Sequence, residues 1–114
     1  MKIGEVCFET NDVVRLADFY KWLLNVPDEN SDEIHQTVIA EETMLTVFND
    51  GSLKRNDNRN ISVAFTVHDI NAYYERLVER GVRVIQGPTV RPWGTVNMSF
   101  FDPDNNVIYL REYR

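Results

Sequence analysis

Near the N-terminus, Glu5, Cys7 and Glu9 alternate along one short run, so in a strand their side chains share a face. A carboxylate such as Glu5, partly desolvated on a sheet, can bind a cationic ligand or take up a proton as a general base. The plainer alternatives are an ion pair with Arg111 or a solvated glutamate. Cys7 could act as a nucleophile only as thiolate, and neighbouring carboxylates oppose that ionisation. The usual role of a lone cysteine in a strand is a small buried apolar residue. Further along, Ser62, Ala64, Thr66 and His68 fall on one face of a second run, and Thr95, Asn97 and Ser99 on one face of a third. Val107, Tyr109 and Arg111 do the same near the C-terminus. These faces are polar. Tyr109 offers a hydroxyl to a bound oxygen, or else packs as sheet aromatics do. Arg91-Pro92-Trp93-Gly94 joins a stiffened turn to a flat apolar ring with one donor, suited either to closing over a ligand or to plugging the core. Trp22 suits a domain or dimer contact. His35 and His68 suit structural or solvated roles.

The elements that must carry these residues repeat. Lys2 to Thr10 reads as a strand ending at the helix cap Asn11-Asp12, and Val13, Leu16, Ala17, Tyr20 and Leu24 then keep helical spacing over about 12–24. Asn25-Val26-Pro27 stops that helix. Ile34 to Ala40 and Thr43 to Asn49 read as a hairpin closed by Asp50-Gly51, and Ser52 to Asn60 as a polar connecting loop. The order begins again with Ile61 to Val67 as a strand and His68-Asp69 as a cap. Ile70, Tyr73, Tyr74 and Leu77 form a helix face, and Gly81 a left-handed stop. A strand through about Gln86 is broken by Gly87-Pro88. Thr95 to Phe101 and Val107 to Glu112 are strands joined by the turn Asp102-Pro103-Asp104-Asn105-Asn106, where Asn tolerates a positive φ. Superposing Asp12 on Asp69 aligns Phe8 with Phe65, Val13 with Ile70 and Tyr20 with Leu77, which points to internal duplication. Each half is then a strand, a helix and three strands. The least marked of these is the first strand after the helix in the first half, near Val26 to Glu29.

The 114 residues, 43% of them hydrophobic, suffice for one core and one domain of two modules, about 1–51 and 61–114. Eighteen acidic residues against twelve basic give a net charge of -6, which disfavours nucleic acid and anionic membranes as partners. No apolar run approaches the ~20 residues of a membrane span, and the acidic N-terminal stretch does not match a signal peptide, so a cytoplasmic location is expected. The single cysteine excludes an internal disulfide and a cysteine-rich zinc site.

Taken together, the chain resembles the vicinal oxygen chelate superfamily of glyoxalase I, extradiol dioxygenases, fosfomycin-resistance enzymes and bleomycin-resistance proteins. The resemblance covers nearly the whole length. It rests on the opening strand into Asn11-Asp12 and Asp18-Phe19-Tyr20, on Val67-His68-Asp69, on Gly87-Pro88 through Gly94, and on Phe101-Asp102-Pro103-Asp104-Asn105-Asn106, where Asn105 replaces the usual Gly. It implies an α+β fold of two tandem βαβββ modules whose curved mixed sheet forms an open cleft, usually completed in a homodimer. In the family's metal enzymes four His, Gln or Glu ligands stand at positions that here hold Glu5, Leu45 (or Thr46, one residue on), Ser62 and Tyr109. Only Glu5 is an ordinary ligand, so no resident metal is expected, with a divalent ion (Ni, Zn, Mn or Fe) as the lesser alternative.

Two functions follow from the resemblance. One is a binding protein, like the bleomycin-resistance branch, that holds a small organic molecule without chemistry. The other is a lyase, isomerase or dioxygenase using a divalent metal, or Glu5 as general base. The candidate ligand-binding residues are Glu5, Cys7, Ser62, Arg91, Trp93, Asn97, Tyr109 and Arg111, with Glu5 the catalytic candidate.

Overall fold

A computed structural model of the chain describes residues 1–55, 57 and 60–114. They divide into two units, Met1–Arg55 and Asn56–Arg114, each containing one helix and one sheet. The architecture is α+β with mixed sheets.

In the first unit β1 (Val6–Glu9) leads into α1 (Val13–Leu24), followed by the hairpin β2 (His35–Ala40) and β3 (Thr43–Phe48). The strand order is β1-β3-β2, with β1 parallel and β2 antiparallel to the central β3. Asp12 caps the helix by accepting from the Arg15 N–H at 3.2 Å, and Asn25 ends it in the left-handed region at φ 55°. The stripe Val13, Leu16, Ala17, Tyr20 and Leu23 is buried, as are Phe8, Val38, Leu45 and Val47 from the sheet. Phe8 stacks on Tyr20 with ring centroids 4.9 Å apart. Strand β1 is shorter than the sequence pattern predicts. Its parallel register, Val6 opposite Leu45, would carry Ile3 past the start of β3 at Thr43, where no partner strand remains.

The strand expected near Val26 to Glu29 does not form, so this unit has three strands. Instead the segment is anchored from the helix. The Val26 N–H donates to the Lys21 carbonyl at 2.9 Å, and the buried Lys21 ammonium donates to Asp28 at 2.7 Å and to the Asn30 carbonyl at 2.6 Å. Pro27 has no N–H to give to a ladder. Asp32 then opens β2 by accepting from the Ile34 and His35 N–H groups. Those two bonds, His35 first, hold its carboxyl below the ordinary carboxylate range. Asp50, after β3, is held lower still by Lys54 and then by the Ser52 N–H and hydroxyl. A depressed carboxyl adds stability above its ordinary pKa and loses it as the pH falls through the folded-state value. Acidification below pH ~4 is therefore expected to lower the thermal midpoint of the native chain more than that of an Asp32→Asn, Asp50→Asn double variant, as read by circular dichroism.

The connecting loop expected over 52–60 is described in part. Asn11 ties its beginning, donating to the Ser52 carbonyl at 2.9 Å and accepting from the Lys54 N–H at 2.8 Å. Residues 56, 58 and 59 of that loop lie outside the described residues.

The second unit runs β4 (Val63–Thr66), α2 (Ile70–Arg80), β5 (Val84–Val90), β6 (Thr95–Phe101) and β7 (Val107–Tyr113). Its sheet order is β4-β7-β6-β5, with β4 parallel to β7 and the remaining pairs antiparallel. The cap is repeated: Asp69 accepts from the Ala72 N–H at 3.1 Å, and Gly81 closes the helix at φ 82°. Ile70 and Leu77 of α2 are buried, as are Met98, Phe100, Ile108 and Leu110 from the sheet. Glu112 also faces α2, accepting from the Ile70 N–H at 3.1 Å.

Gly87-Pro88 does not end β5. The strand continues to Val90 with register shifts between Val84 and Gln86 and between Gln86 and Thr89. Because β5 is the edge strand, the missing proline N–H leaves no ladder bond unmade on a neighbour. At the β6–β7 turn the buried Asp102 carboxylate accepts from the Asp104 and Asn106 N–H groups, each at 2.9 Å, and from the Asn106 side chain at 2.8 Å. Asn105 takes φ 65° there, the conformation glycine would otherwise supply, and its side chain accepts from Arg83 at 3.0 Å. Among the described residues no helix is long and apolar enough to cross a membrane.

Candidate functional site

The second sheet packs Met98, Phe100, Ile108 and Leu110 toward α2, and strand alternation turns the intervening side chains to the other face. The register makes these intervening residues neighbours: Ala64 lies opposite Tyr109, Thr66 and Asn97 opposite Arg111, and Thr95 opposite Tyr113. A cavity of about 460 Å³ opens on that face, lined by Ser62, Ala64, Trp93, Thr95, Asn97, Tyr109, Arg111 and Tyr113. That volume falls in the ~300–1,000 Å³ range of small-molecule sites. Five of the eight candidate residues, Ser62, Trp93, Asn97, Tyr109 and Arg111, are thus brought together in one unit.

Trp93 stands on the β5–β6 turn. That turn is closed by the Arg91 N–H donating to the Thr95 carbonyl at 2.8 Å, and Gly94 completes it at φ 96°. The indole is 66% exposed, so it does not plug the core. Arg91 lies beside the cavity and does not line it. Its guanidinium carbon is 5.7 Å from the Trp93 ring centroid, and it donates to Gln86 at 2.9 Å. Arg111 is held from two sides: its Nε donates to the Thr66 hydroxyl at 3.0 Å, and its guanidinium carbon sits 5.4 Å from the Tyr113 ring centroid. Asn97 accepts from the Thr95 hydroxyl at 2.6 Å, which fixes its amide oxygen and leaves its NH2 group facing away from that bond. Tyr113 is not among the sequence candidates. Its signal is present, two residues beyond Arg111 in the same alternation, but the strand predicted from the sequence ends at Glu112.

Glu5 and Cys7 belong to the first unit, on the sheet face opposite α1, and both are exposed. Cys7 is opposite Thr46, and the Thr46 hydroxyl donates to the Glu5 carboxylate. This register settles which neighbour shares the Glu5 face: it is Thr46, whereas Leu45 is buried on the helix side. The duplication extends to this detail, since the Cys7–Thr46 pair corresponds to the Ala64–Tyr109 pair. Glu5 and Arg111 each bond within their own unit, to Thr46 and Thr66.

The Cys7 thiol is pushed above its ordinary pKa by partial desolvation, then by the carboxylates of Glu9 and Glu5. A raised thiol pKa means less thiolate near neutrality. Cys7 is accordingly expected to react with iodoacetamide at pH 8 more slowly than a free cysteine peptide, and Glu9→Gln should accelerate it, as followed by mass spectrometry.

The four positions that the family's metal enzymes use do not fit a metal here. Their oxygen donors are one carboxylate, Glu5, and neutral hydroxyls at Thr46, Ser62 and Tyr109, with none at Leu45. Neutral hydroxyls are poor ligands for a divalent ion beside imidazole or carboxylate. Among the described residues no group of three or more His, Cys, Asp or Glu side chains is placed to hold one.

Similarity to known proteins agrees with this architecture. The chain is 32% identical over 71 residues to the uncharacterized protein YetH of Bacillus subtilis, covering 62% of this chain and 58% of that protein, so the match spans less than two thirds of that relative. It is 27% identical to the uncharacterized protein YraH of the same organism, across 96% of this chain and 97% of that one. Among solved structures, a glyoxylase/bleomycin resistance protein/dioxygenase domain from Frankia sp. EAN1pec superposes with a TM-score of 0.79 at 15% identity, covering 100% of this chain and 93% of that one. The family's own sequence model matches residues 2–110, and the chain belongs to the glyoxalase/bleomycin resistance protein/dioxygenase superfamily.

Proposed function

We propose that this chain is a small-molecule-binding member of the superfamily, that it holds an organic ligand on the open face of its second sheet, and that it does so without a metal at the family's ligand positions. One observation carries the reading: a cavity of about 460 Å³ walled by the rings of Trp93, Tyr109 and Tyr113 and furnished with polar groups from Ser62, Asn97 and Arg111. Aromatic walls with a few directed polar groups are the usual composition of a ligand site. Glu5 is assigned no catalytic role in this scheme; its carboxylate accepts from the Thr46 hydroxyl in the first unit. The functional unit includes a second copy of the chain, which sedimentation equilibrium would register as twice the 13.3 kDa of one chain.

The test is the thermal midpoint of EDTA-treated protein, alone, with nickel, zinc, manganese or ferrous ion, and with a panel of small organic compounds. A ligand of the native state raises the midpoint by mass action, by about 2.7 kcal/mol of stability at a hundred times its Kd. Shifts with organic compounds and none with metals are expected. A large shift with one metal, and none with any organic compound, would overturn the proposal.

A further inference from the structure

The cavity is unbalanced in its hydrogen-bonding groups. Among the described residues Arg111 is its one charged lining residue, and no carboxylate lines it. Glu112, next in the chain, is turned to the helix side and bonds the Ile70 N–H. The amide oxygen of Asn97 already accepts from Thr95, which leaves its NH2 group to meet a ligand. Among the described residues the terminal nitrogens of Arg111 have no hydrogen-bond or ion-pair partner, its only bond being from Nε to Thr66. The Asn97 NH2 group and the indole N–H of Trp93 add donors on the same wall, and the hydroxyls of Ser62, Tyr109 and Tyr113 can donate or accept. A donor-rich, positively charged patch in a chain of net charge -6 runs against the overall composition.

From this we infer that the ligand is a planar aromatic carboxylate, its carboxylate on Arg111 and Asn97 and its ring against Trp93 and Tyr113. The inference rests on the binding function proposed above and adds the ligand's chemical class. A guanidinium presents parallel N–H groups that match the two oxygens of a carboxylate. The Thr66 bond and the Tyr113 ring hold that guanidinium before the ligand arrives, which reduces the ordering cost of binding. The exposed face of Trp93 supplies the flat apolar surface that a ring would cover.

Isothermal titration of the full chain with 2-naphthoate, 2-naphthamide, 2-naphthylmethylammonium and cyclohexanecarboxylate tests the assignment. 2-Naphthoate is expected to bind, with the amide and the cyclohexane acid each weaker by roughly ten- to a hundredfold and the ammonium compound not binding. Arg111→Gln should weaken 2-naphthoate by a similar factor and weaken the amide much less, with an unshifted thermal midpoint showing that the fold is intact. Equal binding of the amide or the ammonium compound, or no effect of Arg111→Gln, would overturn the inference. So would failure of 2-naphthoate to bind. If neutral organic compounds still shift the midpoint in the thermal panel, only the ligand class falls; if no organic compound does, the proposed function falls with it.

Discussion

Tyr20→Ala is expected to destabilise the chain by about 4 kcal/mol. Tyr20 is fully buried, and its ring stacks on Phe8 while meeting Phe19 edge-on at 5.3 Å. Truncation removes the transfer energy of a large side chain and leaves a cavity between α1 and its sheet that the surrounding core cannot fill. At roughly 4 °C or more per kcal/mol for a domain of this size, the thermal midpoint should fall by about 15 °C or more. A fall of only a few degrees would mean that the α1 face contributes little to the first unit.

The second large effect is expected at the β6–β7 turn. Asp102→Ala should cost about 3 kcal/mol, because a buried carboxylate that accepts three hydrogen bonds is removed and the Asp104 and Asn106 N–H groups lose their acceptor. Asp102→Asn separates charge from geometry: it keeps one acceptor oxygen and should recover part of the loss. Urea unfolding of both variants measures this directly. Strands β6 and β7 carry Thr95, Asn97, Tyr109, Arg111 and Tyr113, so loosening their turn should also weaken any ligand of the cavity.

Much of the fold is readable from residue order because the signals are local. Asp12 and Asp69 cap, Asn25 and Gly81 close, and the alternation of Phe8 with Cys7 or of Met98 with Asn97 separates the two faces of each sheet. The features that escape the sequence depend on partners distant along the chain. Strand β1 cannot run back to Lys2 because β3 begins at Thr43, and the Val26 to Glu29 segment is drawn to the Lys21 ammonium instead of a ladder. Gly87-Pro88 reads locally as a break, yet an edge strand accommodates it as a bulge. The same division holds for the candidate site. Alternation alone gathers Ser62, Asn97, Tyr109 and Arg111, whereas the exposure of Trp93, the engagement of Glu5 by Thr46 and the inclusion of Tyr113 depend on turn geometry and strand register.

The central claim, an organic ligand on the open face of the second sheet with no metal, is tested most directly by mapping amide, indole and guanidinium resonances of EDTA-treated, 15N-labelled protein. The titrants are 2-naphthoate and, in parallel, 2-naphthylmethylammonium. The account predicts that the Trp93 indole, the Asn97 side-chain amide and the Arg111 Nε resonances move with at least one of these compounds in the absence of any divalent ion. Resonances that stay in place with both compounds and with every neutral compound of the thermal panel, or that move only once nickel, zinc, manganese or iron is added, would contradict it.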